Sequence, residues 1–208
     1  MRHDSLHDGL IEQISAAPKT GRRKLIALAG APASGKSTLA EDLAQALRSR
    51  GERCEVVPMD GFHLDNRVLT AKGLLPRKGA PETFDVGGFL ALVPRLRHEA
   101  EIYIPIFERA RDIAIAGAVL IDESCDTLIL EGNYLLFDQP RWRDLAPLWD
   151  LSIRLDVPEE TLRDRLIQRW LDHGLTPEDA KTRAEGNDLR NAQAIAAHPL
   201  PADVTLRS

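Results

Sequence analysis

The chain has 208 residues, 43% hydrophobic and 28% charged, with 27 Lys and Arg against 32 Asp and Glu and a formal net charge of -5. One ordinary globular domain, 1–208, accommodates that length, and the apolar content excludes a largely disordered chain. The acidic balance argues against a duplex-DNA binder, so no nucleic-acid partner is expected.

Two cysteines, Cys54 and Cys125, give neither a disulfide framework nor a zinc quartet and are expected to be small buried hydrophobes. The opening MRHDSLHDGL lacks the apolar core of a signal peptide, and the longest apolar runs, near 25–33 and 114–121, are too short to span a bilayer. No membrane partner and a cytoplasmic location are the expectations. Oligomeric state is undetermined, with a homodimer left open.

Leu6, Leu10, Ile11 and Ile14 recur at helical spacing and predict an amphipathic N-terminal helix, followed by turn residues at 17–21. His3 and His7 share an i, i+4 spacing there and are assigned no role. Residues 24–29 (KLIALA) predict a buried strand. Residues 30–37 form a glycine-containing loop, and Leu39, Leu43 and Leu47 mark a helix closed by Gly51. A second short strand follows at 54–59 (CEVVPM).

The stretch 64–75 is ambiguous, and 78–82 is a Gly/Pro loop. Phe89, Leu90, Val93 and Leu96 predict a helix capped by Asp85, with Pro94 arguing against its continuity. Residues 102–107 and 113–121 alternate as strands. TLIL at 127–130 predicts a central strand, and Leu151, Ile153 and Leu155 another. Pro158 opens a helix with Leu162, Leu166 and Trp170 that Gly174 ends. Thr176, Pro177 and Asp179 start one more, and 204–206 predict a last strand. Alternating strands and helices predict an α/β domain with a mostly parallel sheet, whose ligands bind at the carboxyl ends of its strands.

Gly30-Ala31-Pro32-Ala33-Ser34-Gly35-Lys36-Ser37 matches G-x-x-x-x-G-K-[ST], with a predicted strand before it and a helix after. Such a loop aims backbone N–H groups, Thr38 included, at the phosphates of a purine triphosphate. Lys36 reaches the terminal phosphates, and the Ser37 hydroxyl suits Mg2+. The string alone names no reaction. Asp85-Val86-Gly87-Gly88 matches a GTPase D-x-x-G string, but no N-K-x-D accompanies it, and no L-S-G-G-Q string of transport ATPases is present.

Phosphoryl transfer to a hydroxyl needs a carboxylate to take the proton and cations to hold developing charge. Asp60 follows the second predicted strand at its carboxyl end. It is the candidate base, with a self-bonded Asp-Gly turn as the structural alternative. Glu131 ends TLIL, where a buried acid suits Mg2+. Asp122, Glu123 and Asp126 lie at the opposite end of that strand. Arg165 and Arg169, an i, i+4 pair, lead Arg163, Arg183 and Arg190 as candidates for phosphate contact. His63 and Arg77, with Lys78, are candidates on the acceptor side, and Asn187 and Asn191 for reading the base.

Taken together, GAPASGKS at 30–37, MDGFHLDN at 59–66, GLLPRKGAPETFDV at 73–86 and LILEG at 128–132 resemble the P-loop small-molecule kinases that include uridine kinase, phosphoribulokinase and type I pantothenate kinase. The resemblance runs from about residue 24 to about 190. It implies a three-layer P-loop fold with a five-stranded parallel sheet flanked by helices, ATP and Mg2+ as cofactors, and a small-molecule hydroxyl acceptor. It further implies that Asp60 activates the acceptor, that Glu131 assists Mg2+, that 75–122 is an acceptor-side insertion and that 163–190 forms a lid. Phe107 stands where type I pantothenate kinases carry the Tyr of a Pro-x-Tyr segment touching the acceptor, and Glu108-Arg109 replaces the polar-His pair common after it. The chain is also similar to shorter bacterial members labelled fructose-transport-system kinases, which implies a sugar acceptor; a nucleoside or pantothenate-like acceptor, or a regulatory ATPase without one, stays open.

Overall fold

A computed structural model describes residues 2–207, with side chains from residue 8 onward. The side chains of His3, Leu6 and His7 lie outside the described residues. In chain order the elements are α1 (Arg2–Ala16), β1 (Lys24–Gly30), α2 (Lys36–Ser49), β2 (Cys54–Pro58), α3 (Asn66–Ala71), α4 (Val86–His98), β3 (Ile102–Glu108), β4 (Ile113–Ile121), β5 (Thr127–Gly132), β6 (Leu151–Asp156), α5 (Glu159–Asp172), α6 (Pro177–Arg183), α7 (Leu189–Ala197) and β7 (Val204–Arg207).

Five strands form one parallel sheet in the order β2-β5-β1-β6-β7. The period of two splits β1 between two cores. Ile26 and Leu28 pack with Leu43 and Leu47 of α2 and Leu10 and Ile14 of α1. Leu25, Ala27 and Ala29 face Phe89, Val93 and Leu96 of α4. β5 divides likewise, with Ile129 on one side and Leu128 and Leu130 on the other. The sheet is therefore the middle of three layers, and the fold is the α/β arrangement expected from the sequence.

Two ambiguities resolve through local bonds. Residues 66–71 are helical because the Asp65 carboxylate accepts the Arg67 N–H at 2.8 Å as an N-cap. α4 runs through Pro94 to His98, since its buried apolar stripe outweighs the one missing N–H. The D-x-x-G string is the start of that helix: Asp85 accepts the Gly88 N–H at 2.9 Å. Thr176 caps α6 in the same way, through the Asp179 N–H at 3.2 Å. Cys54 and Cys125 are buried and free, and burial pushes the Cys54 thiol up to about 12.

Within 75–122, α4 belongs to the main core, while β3 and β4 form a separate antiparallel hairpin. Its register shifts between Ile104 and Ile106, where Pro105 opposes the stretch 116–118 and Gly117 has φ +62°. Pro105 has no N–H to offer the ladder, and the extra residues bend the hairpin. Its root is fastened by Arg23, fully buried just before β1. Arg23 Nη1 donates to the carbonyls of Leu96 and Glu99 at 2.8 and 2.7 Å, and Nη2 to those of Ala100 and Asp122 at 2.6 and 2.7 Å. No described helix is long and apolar enough to cross a membrane.

Candidate active site

A cleft of about 770 Å3 opens at the carboxyl ends of β1, β2 and β5. One wall is the 30–37 loop. A Cβ at Gly30 would stand 2.6 Å from Ser34 Oγ, so the loop can close on itself only over glycine. Ala33 (φ 61°) and Gly35 (φ 94°) are both left-handed, which curls the chain into the N-terminus of α2. Pro32, Ala33, Gly35, Lys36, Ser37 and Thr38 line the cleft, whereas Gly30, Ala31 and Ser34 lie behind it and shape the bend. The first-turn N–H groups of α2 have no acceptor within the helix and are free for phosphate oxygens.

Beneath the loop, Glu131 is 6% exposed, and its carboxylate accepts the Ser37 hydroxyl at 3.2 Å, its one side-chain bond among the described residues. Burial raises its pKa, and the nearby Lys36 ammonium opposes the rise. Desolvation lowers the Lys36 pKa in turn, with Glu131 and Asp60 holding it up. A hydroxyl and a carboxylate with spare lone pairs, at the foot of a phosphate loop, are the hard oxygen donors Mg2+ takes. The residues fit that ion.

Asp60 lines the opposite wall from a 3-10 turn, Met59–Phe62, directly after β2. A Cβ at Gly61 would lie 2.5 Å from the Pro105 carbonyl oxygen, so glycine there lets the bent hairpin press onto the turn. The hairpin then lays Phe107 on the His63 ring (4.5 Å), which stacks from its other neighbour on Phe84 (4.1 Å). His63 Nδ1–H donates to the Asp60 carbonyl at 2.8 Å, leaving Nε2 as the acceptor nitrogen of the neutral ring. Burial lowers the His63 pKa, against the pull of Asp60.

Arg109 follows β3 and donates from Nη2 to Asp60 Oδ2 at 3.1 Å. Its side chain is 56% exposed, and that of Asp60 24%. A pair this open to water contributes about 0–1 kcal/mol, so the two groups separate easily. Nothing in the sequence marked Arg109 as a partner for Asp60; the contact spans 49 positions. Lys78, a candidate on the acceptor side by sequence, also lines the cleft. It is nearly buried, and its three N–H groups reach Asn66 Oδ1, the Asp112 carbonyl and Asp112 Oδ2 at 2.7, 2.8 and 2.9 Å. It ties the hairpin tip to α3.

Several expected roles are redistributed. Arg77 does not line the cleft: its guanidinium donates to Asn187 at 2.8 Å and Asn191 at 3.4 Å, with Glu82 at 3.6 Å. The buried Asn187 also donates to the Lys78 carbonyl at 2.8 Å, so these asparagines tie α7 and the turn before it to the 75–83 loop instead of standing free for a base. Arg165 and Arg169 share a helix face but not a target. Arg165 donates to the carbonyls of Ala33 and Ser34 at 3.4 and 3.2 Å, bracing the bend of the loop from outside. Arg169 lines the cleft, and burial, then the like charge of Arg109, lowers its pKa. Trp170 also faces the cleft: its N–H donates to Asp188 at 2.8 Å, and Arg183 lies 5.1 Å above its ring.

The family model of the methylmalonyl-CoA mutase-associated GTPase MeaB matches residues 1–63. A crystal structure from Silicibacter sp. TM1040, titled a "putative fructose transport system kinase", is 58% identical, with a TM-score of 0.91 and 97% of each chain covered. A Schizosaccharomyces pombe protein named a "putative uridine kinase" is 34% identical over 99% of this chain and 90% of its own length. The chain belongs to the P-loop small-molecule kinase family. A pantothenate kinase from Chelativorans sp. is 31% identical over 71% of this chain and 49% of its own length. As a P-loop kinase, the protein carries out nucleotide-dependent phosphoryl transfer to a small molecule, in a family that uses ATP with Mg2+.

Proposed function

We propose that this kinase moves the terminal phosphoryl group of ATP to a hydroxyl of a small metabolite, with Asp60 as its base. The observation that carries the reading is that the Asp60 carboxylate lines the same cleft as Lys36 and Ser37, facing the phosphate loop from the acceptor side. The acceptor O–H gives its proton to Asp60. The freed oxygen attacks the terminal phosphorus, and the bond to the bridging oxygen breaks to release ADP. Lys36 and the α2 N–H groups hold the phosphate oxygens, and Arg169 neutralises charge as it develops. Ser37 and Glu131 would hold Mg2+, which supplies charge neutralisation on the phosphates.

Phe107, His63 and the 75–85 loop bound the acceptor space, and residues 163–190, from within α5 to the start of α7, serve as a lid. The names of its relatives favour a sugar, a nucleoside or a pantothenate-like acceptor. The match of a GTPase model to residues 1–63 favours a second reading, a nucleotide-dependent regulatory ATPase. ADP release from Mg-ATP, with and without fructose, uridine and pantothenate, separates the two. A kinase shows release that depends on one acceptor, and Asp60→Asn lowers it by about 100-fold or more while ATP still binds. Acceptor-independent hydrolysis that Asp60→Asn leaves intact supports the regulatory ATPase instead.

A further inference from the structure

From the Asp60–Arg109 contact we infer that Arg109 selects the acceptor, and that the acceptor is an anion: a small hydroxylated molecule with a carboxylate or phosphate near the hydroxyl that reacts. The inference rests on the kinase reading of the cleft and names the substrate class that reading leaves open.

Among the described residues of the acceptor wall, Arg109 is the cation with donors to spare. Lys78 uses all three of its N–H groups on Asn66 and Asp112. Arg77 is turned to Asn187 and Asn191, and Arg165 to the phosphate loop. Arg109 commits one Nη2 to Asp60. A guanidinium has five N–H donors in a fixed fork, and the rest of this one has no partner among the described residues.

That single bond competes with the acceptor hydroxyl for Asp60. Asp60 must offer an oxygen to the acceptor hydroxyl, and its negative charge disappears when it takes the proton. Arg109 then loses its own counter-charge, while the like charge of Arg169, which Asp188 partly offsets, shares the cleft. A neutral acceptor leaves that like charge unanswered and the fork of Arg109 unfilled. An oxyanion on the acceptor takes the fork of Arg109 in a bidentate grip, and Asp60 is released to the hydroxyl. The grip also fixes the distance between the acceptor's anion and its reactive oxygen, because the bend at Pro105 and the Lys78 clasp hold the hairpin tip in place.

The test is ADP release from Mg-ATP with matched acceptors: glycerol, glycerate and glycerol 3-phosphate; fructose and fructose 6-phosphate; ribulose and ribulose 5-phosphate. Wild type, Arg109→Met and Arg109→Lys are compared, with thermal unfolding as the folding control. The expected result is that a charged member exceeds its neutral partner in kcat/KM by about 100-fold. Arg109→Met should erase that advantage with the KM for ATP unchanged, and Arg109→Lys should restore part of it. Glycerate against the phosphate esters tells a carboxylate acceptor from a phosphate one. Wild-type preference for the neutral partners overturns the inference and leaves the kinase reading standing. Equal slowing of charged and neutral acceptors by Arg109→Met also overturns it, assigning Arg109 to the transferring phosphoryl group. Hydrolysis indifferent to every acceptor overturns the kinase reading and the inference with it.

Discussion

The two walls of the cleft are built by different means. The nucleotide wall is continuous in sequence: nine residues, 30–38, curl at the end of a core strand and present backbone N–H groups. The acceptor wall is gathered from the 59–63 turn, the 75–85 loop and the bent hairpin, and it presents side chains. A backbone cradle tolerates many side chains and recognises what every nucleoside triphosphate shares. A wall of assembled side chains can be retuned one residue at a time, which is where members of one kinase family can differ in acceptor.

The sharpest break of that contrast is Lys36→Ala on the nucleotide wall. It removes the ammonium that lines the cleft beside Ser37, and turnover should drop about 1000-fold with every acceptor. ADP release measures it; a loss confined to one acceptor would mean the walls are not separable. Gly61→Ala attacks the other wall. Its Cβ meets the Pro105 carbonyl, so the hairpin must lift, at about 1–3 kcal/mol of stability. Urea unfolding should show that loss, and the KM for the acceptor should rise while ATP binding, by isothermal calorimetry, holds. Equal weakening of both ligands would place the hairpin's influence on the nucleotide wall as well.

The smallest expected effect is a pH slope. Burial keeps the His63 pKa below its ordinary value, so the unfolded chain binds that proton more readily than the folded one. The associated stability is present above about pH 6.5 and declines as pH falls below it. His63→Gln should flatten this part of the curve in urea unfolding at pH 7.5, 6 and 5. An unchanged slope would show that His63 is as easily protonated in the fold as outside it.

Legibility in the sequence followed the same divide. The phosphate loop could be read outright, because its chemistry is local and glycine spacing encodes backbone shape. The placement of Asp60 and Glu131 beside that loop could be read from their positions at strand ends, since a parallel sheet gathers those ends. The sheet itself was legible from alternating apolar strands and helices. Arg109 was not: it follows a strand in a turn, and only a bend at Pro105 and a Cβ-free Gly61 bring it to Asp60. Arg77 misled for the matching reason. Its charge suggested an acceptor contact, but its partners Asn187 and Asn191 lie more than a hundred residues away, and no local pattern announces them. α4 was legible as a helix by period, and Pro94 was the local signal that its buried stripe overrode.

Arg23 gives the two walls a common anchor of an unusual electrical kind. Its charge is met by four peptide carbonyls and by no carboxylate among the described ion pairs. Carbonyl oxygens neither gain nor lose a proton across the range in which proteins work. Acidification that protonates His63 therefore leaves this clasp with the same four bonds. The start of the nucleotide strand and the root of the acceptor hairpin stay in fixed register while the charges between them titrate, so the cleft can change its protonation without changing its span.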